Sequence, residues 1–150
     1  MKFYTDTIEV KVHKKKGTVN LNSIIADAVK KSGFRNGIGV VRSLHTTAGI
    51  IEQEDEEGIL SYDMPRLMNR LVPSRSGYRH DDFTKRMPRV GPDERKNGKA
   101  HLEHLLISRS VPFIIHDYKV ELGSWPSILF IDFDPIGRKA RRVQIAIIGE

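Results

Sequence analysis

The chain has 150 residues, 25 Lys and Arg against 19 Asp and Glu, and a formal net charge of +6. One domain spanning residues 1–150 is expected at this length, with enough chain to bury a sizeable core. No apolar run approaches the roughly 20 residues that cross a bilayer, and with no cysteine there are no disulfides, thiolate metal sites or cysteine nucleophile.

Residues 3–12 alternate, with Ile8, Val10 and Val12 on one face, as a half-buried strand does. Lys14 to Gly17 reads as a turn. From Asn22 to Lys31 the spacing of Ile24, Ile25, Ala28 and Val29 predicts a helix, capped by Asn22 or Ser23 and ended by Gly33. Gly37–Leu44 reads as a buried strand and Ile50-Ile51 as the start of another. Leu60, Met64, Leu67, Met68 and Leu71 predict a helix up to Pro73, with Pro65 marking a fresh start near Asp63 or a kink. Residues 74–96 form a long irregular loop, of the kind that is commonly functional. Asn97 is placed to cap a helix whose apolar face includes Ala100, Leu102, Leu105 and Leu106. Three strand-like runs follow, 111–115, 127–133 and 142–148, and Asp134-Pro135-Ile136-Gly137 has the turn chemistry to join the last two as a hairpin. The fold class expected is α+β, with a mainly antiparallel sheet and packed helices.

Charge is unevenly placed: residues 61–110 carry 11 basic and 6 acidic groups, whereas 1–60 and 111–150 are nearly balanced. Anionic partners are drawn to such a segment if the fold gathers it on one face. No helix-turn-helix or RNA-binding aromatic pattern accompanies it, so nucleic acid is not the expected partner. The N-terminus Met1-Lys2-Phe3-Tyr4 lacks a signal-like apolar core, which leads to the expectation of a cytoplasmic protein with no membrane partner. Five Asn, two Gln and no Cys suit a thermophilic source.

Several residues could carry chemistry. His45-Thr46-Thr47-Ala48-Gly49-Ile50 follows a strand, so His45 reads either as a ligand-handling group at a sheet rim or as a turn cap. In the acidic run Glu52–Glu57 the carboxylates serve a helix macrodipole, or one of them turns inward as a base or metal ligand. His80 is flanked by Asp81, which can hold an imidazole tautomer. Asn97, His101 and His104 recur at i, i+4 and i+7 on one helix face, where paired histidines can chelate a metal and His104 can equally face solvent.

Taken together these motifs resemble the YjbQ (UPF0047) family, whose members are often named secondary thiamine-phosphate synthases. The resemblance rests on His45–Ile50, Glu54, Asp63, Arg66-Leu67, Leu71-Val72-Pro73, Tyr78-x-His80-Asp81, Asn97-Gly98-x-Ala100-His101-Leu102, Leu122-Gly123-Ser124-Trp125 and the closing strand to Gly149-Glu150. It implies a YjbQ-like sandwich that assembles as a homotrimer. The site positions it implies are His45, Glu54, His80, Asn97, His101 and Trp125, with Arg142; His104 matches none of them. In this reading His45, His80 and His101 hold a divalent metal ion, Zn or Mg, with Glu54 as general base or fourth ligand. His45 and Arg142 join Glu54 as catalytic residues, while Thr46, Thr47, Asn97 and Trp125 bind a phosphorylated small-molecule substrate. The implied reaction joins an aminopyrimidine diphosphate to a thiazole phosphate and releases diphosphate. The chain departs from the family pattern at Pro126, where Gln usually follows the Trp, at Gln53-Glu54-Asp55, and around Asp132 and Asp134–Arg138.

Overall fold

A computed structural model describes residues 1–12, 17–86, 90–136 and 140–150. Lys14–Lys16 of the expected turn and the segment 137–139, which holds the end of the expected hairpin turn, lie outside the described residues.

Among the described residues, eight strands form two antiparallel sheets. The larger has the order β1 (Lys2–Val10), β8 (Arg141–Gly149), β3 (Gly37–Ser43), β5 (Ser110–His116) and β6 (Lys119–Glu121); the smaller has β2 (Thr18–Asn20), β7 (Pro126–Asp132) and β4 (Ala48–Glu54). The sheets pack face to face. Val41, Phe113, Val143, Ile145 and Ile147 from the larger meet Ile50, Ile128 and Phe130 from the smaller. Helix α1 (Asn22–Ser32) adds Ile25, Ala28 and Val29 to the same core.

Strand β7 is buried along nearly its whole length because it has apolar neighbours on both faces. Ile128 and Phe130 point into the sandwich, while Leu129 and Ile131 meet Leu60 on the other side. Its unbroken apolar run is the pattern of a doubly covered strand. The outer cover is a π-helical turn, Ile59–Asp63, running directly into α2 (Met64–Leu71). Pro65 therefore sits in the first turn of α2, where its missing N–H costs nothing. A 3-10 turn (Arg79–Asp81), the short α3 (Phe83–Arg86) and α4 (Gly98–His104) complete the chain. Among the described residues, no helix is long and apolar enough to cross a membrane.

The α+β class and the antiparallel sandwich are as expected, and Gly33 ends α1 in the left-handed region at φ 69°. Two expectations are corrected. The strands at 126–132 and 141–149 do not form a hairpin; β7 and β8 lie in different sheets. The buried face of α4 is Gly98, Ala100 and Glu103, while Leu102, Leu105 and Leu106 are exposed. The helix ends at His104, so its residues never complete the apolar stripe that the leucine spacing suggested.

Candidate functional site

The β3–β4 connection enters the site first. Thr47 is buried; its carbonyl accepts the Phe133 N–H at 3.0 Å and its hydroxyl oxygen lies 3.4 Å from the Arg141 guanidinium. Thr46 is exposed, and its backbone carbonyl acts on the His101 ring as an acceptor that favours its protonated form. His45 Nε2 accepts the backbone N–H of Arg142 at 2.8 Å, which ties the connection to the start of β8. That bond occupies the nitrogen that a metal would need from this face of the ring.

The second contribution comes from the 3-10 turn and α4. The rings of His80 and His101 lie 4.6 Å apart, centroid to centroid, tilted by 41°. His80 Nδ1 faces Asp81 Oδ1 at 3.3 Å, and the same oxygen accepts the Gly98 N–H at 2.8 Å. One carboxylate thus orients an imidazole and anchors the first turn of the helix carrying the other. Gly98 permits this approach: a Cβ there would stand 2.8 Å from Tyr78 Cβ and 3.0 Å from His80 Cβ. The His80 carbonyl is held from the other side by Arg86 at 2.9 Å.

His101 is less basic than an ordinary histidine. Burial is the main cause and the neighbouring His80 the second, partly offset by the Thr46 carbonyl and by Glu94 and Asp134. His104 is lowered too, by burial, Arg109 and His101, and its Nδ1 is buried with no hydrogen-bond partner.

A third layer supports these groups. Asp134 is buried and accepts from Arg95 at 2.9 Å through one oxygen and from the Asn97 amide at 3.0 Å through the other. Asn97 therefore stands at the helix start but its side chain caps Asp134, leaving its own Oδ1 buried and unpartnered. Beneath lies Arg141, 4% exposed, which grips Asp132 with two bonds of 2.7 and 2.8 Å and donates to the Asp134 carbonyl at 2.9 Å. Sequence reasoning selected Arg142, but the inward guanidinium belongs to Arg141. The available signal was phase: Arg141 shares its strand face with Val143, Ile145 and Ile147, and a shift of one residue reverses the face. Arg142 is exposed and contributes its backbone to His45. Asp132 and Asp134 entered the sequence reading as departures from the family pattern, and Arg95 only as part of the long loop.

Glu54 and Trp125 are not brought to this cluster. Ala48 pairs with Asp132 at one end of the β4–β7 ladder, and Glu54 pairs with Pro126 at the other. Six strand steps put the two ends about 20 Å apart. Trp125 is 75% exposed there. Among the described residues no group of three or more His, Asp or Glu side chains is arranged to hold a metal ion. The three-histidine set does not close around one ion in this chain. The His80–His101 pair, each ring with one nitrogen held by a protein acceptor, is the part of that set with the second-shell support that metal-binding histidines have.

The arrangement offers two adjacent imidazoles, an exposed threonine hydroxyl and an unpartnered amide oxygen, all braced by buried ion pairs. Such a site can accept and donate protons and hydrogen-bond a polar heterocycle. Comparison with known proteins places this geometry in context. The model for "UPF0047 protein YjbQ-like" matches residues 6–150. A UPF0047 protein of Methanocaldococcus jannaschii is 29% identical over 142 residues, covering 95% of this chain and 92% of that protein. A UPF0047 protein of Archaeoglobus fulgidus is 36% identical over 109 residues, covering 73% and 75%. The crystal structure of a YbjQ-like protein of unknown function from Sulfolobus solfataricus superposes with a TM-score of 0.83 at 25% identity, covering 99% of each chain. The chain belongs to the YjbQ-like UPF0047 family.

Proposed function

We propose that this protein is a small cytoplasmic enzyme acting on phosphorylated heterocycles, with thiamine-phosphate-synthase-like transferase activity centred on His80 and His101. The observation that carries the reading is the 4.6 Å imidazole pair, oriented by Asp81 and by the Thr46 carbonyl. Burial, and next the neighbouring His80, keep the His101 ring less basic than an ordinary histidine. A neutral ring accepts the amino hydrogen of a pyrimidine, and a protonated one donates to the departing diphosphate. In the transfer, the thiazole nitrogen uses its lone pair to form the new C–N bond, giving a thiazolium, while the C–O bond to diphosphate breaks and the diphosphate leaves with the electron pair of that C–O bond. The exposed Thr46 supplies a further polar contact to the substrate. A divalent cation, in this reading, is held by His80 and His101 alone within one chain, and no step is assigned to it.

The test follows diphosphate release from an aminopyrimidine diphosphate in the presence of a thiazole phosphate. Release that requires both substrates, and that falls at least a hundredfold in His101→Ala with an unchanged melting temperature, is the expected result. Release no faster than the protein-free blank, or unaffected by His101→Ala, removes the reading and leaves a noncatalytic binding protein.

We further place the expected homotrimer contact on the outer face of the larger sheet. Strand register aligns Phe3, Ile148, Ile38 and Ile114 in one row across four strands, and they are 66, 47, 66 and 60% exposed. A contiguous apolar row of this kind favours burial against a second copy. Sedimentation should give a trimer mass that drops on Ile38→Lys; a monomeric parent chain would exclude the contact.

A further inference from the structure

Helix α4 has a second side that the histidine site does not use. Lys99 and Glu103 are four residues apart and pair through Nζ and Oε1, facing away from His101. Glu103 is deeply buried, its side chain only 10% exposed, and Lys99 is its cationic partner. Both line a cavity of about 360 Å³ between α4, α2 and the end of β7. That size falls within the range of small-molecule pockets.

The far walls are apolar. Leu60, Met64 and Met68 come from the π-helical turn and α2, and Ile131 and Phe133 from β7 and the residue following it. Methionine side chains adapt to irregular apolar ligands. At the rim, the Ser74 hydroxyl donates to Asn69 Oδ1 at 3.0 Å, which directs the Asn69 amide hydrogens to other acceptors. A nearly buried carboxylate and an ammonium therefore stand side by side on one wall of a mixed chamber, facing apolar side chains from α2 and β7, with Asn69 and Ser74 adding polar groups to its lining. The complement of that pattern is a molecule with adjacent positive and negative groups on an apolar body.

We propose that this cavity is a second small-molecule site, distinct from the imidazole pair, that takes a zwitterionic α-amino acid with an apolar side chain. The ligand ammonium lies against Glu103, its carboxylate against Lys99 and the Asn69 amide, and its side chain against Met64, Met68 and Phe133. A neutral amide of the same shape retains the apolar contacts but makes no charge-assisted contact with Glu103 or Lys99, so charge sets the selectivity.

The experiment titrates L-methionine into the unmodified protein and follows backbone amide signals by NMR. Saturable binding is expected, in the millimolar range or tighter, moving signals of Leu60, Met68, Lys99 and Ile131 and leaving those of Thr46 and His80 in place. N-acetyl-L-methionine amide, which lacks both charges, should bind at least tenfold more weakly, and Glu103→Gln should weaken L-methionine binding by a similar factor. No saturable shift at these residues, or a neutral analogue that binds as tightly as L-methionine, overturns the proposal; the unmodified protein alone decides both points.

Discussion

The two ends of the β4–β7 ladder are built on opposite principles. At the Ala48–Asp132 end, polar groups are paired around a buried core: Arg141 with Asp132, both buried, the buried Asp134 with Arg95 and Asn97, and the half-buried His80 with Asp81. At the Glu54–Pro126 end, Trp125 stands in solvent and Glu54 is only partly covered. The difference teaches where rigidity is invested. Buried ion pairs cost desolvation that only good geometry offsets, so their concentration at one end marks the region whose side chains must be held in place.

The largest effect is expected where that investment is deepest. Arg141→Met leaves Asp132 buried without its cation and should destabilise the protein by about 3–5 kcal/mol in chemical denaturation. It should also disturb Thr47 and Asp134, and with them the histidine pair, because the same guanidinium touches all three residues. A loss under about 1 kcal/mol would erase the contrast between the ends, since that is the value of an exposed pair. At the other end, Glu54→Gln and Trp125→Ala should each change stability by no more than about 0.5 kcal/mol, as surface substitutions do. If either one abolishes diphosphate release while the oligomeric state is unchanged, then the centre of the chemistry has been placed at the wrong end.

Much of the fold was legible because the core strands obey simple periods. The alternation in β8 and the unbroken apolar run of β7 are direct consequences of one-sided and two-sided cover. The β7–β8 hairpin was misread for a physical reason: turn residues specify a local bend, not the sheet that the next strand joins. The leucines after Ala100 misled because helical spacing predicts a shared face only while the helix continues, and α4 stops at His104. In the site, His45, His80 and His101 carried visible polar signatures, and the structure brings His80 and His101 together through the Gly98 approach. Glu54 and Trp125 could not be placed by motif order, because chain order does not say which end of a ladder a residue occupies. The roles of Asp132, Asp134 and Arg95 were not legible because they depend on partners distant in sequence.

The pH response follows from the same environment. His101 and His104 titrate below the usual 6.5 in the folded chain. As pH falls through 6.5 the unfolded chain takes up protons first, so their contribution to stability is complete above 6.5 and is lost as pH drops through the folded midpoints. The measurement that tests the central claim most directly is a pH titration of the histidine ring signals by NMR, with and without an aminopyrimidine diphosphate. The account predicts a His101 midpoint below 6.5 and ring signals of His80 and His101 that move together on addition of the diphosphate, while the exposed His116 stays fixed. A His101 midpoint at or above 6.5, together with ligand-induced changes confined to Trp125, would contradict it.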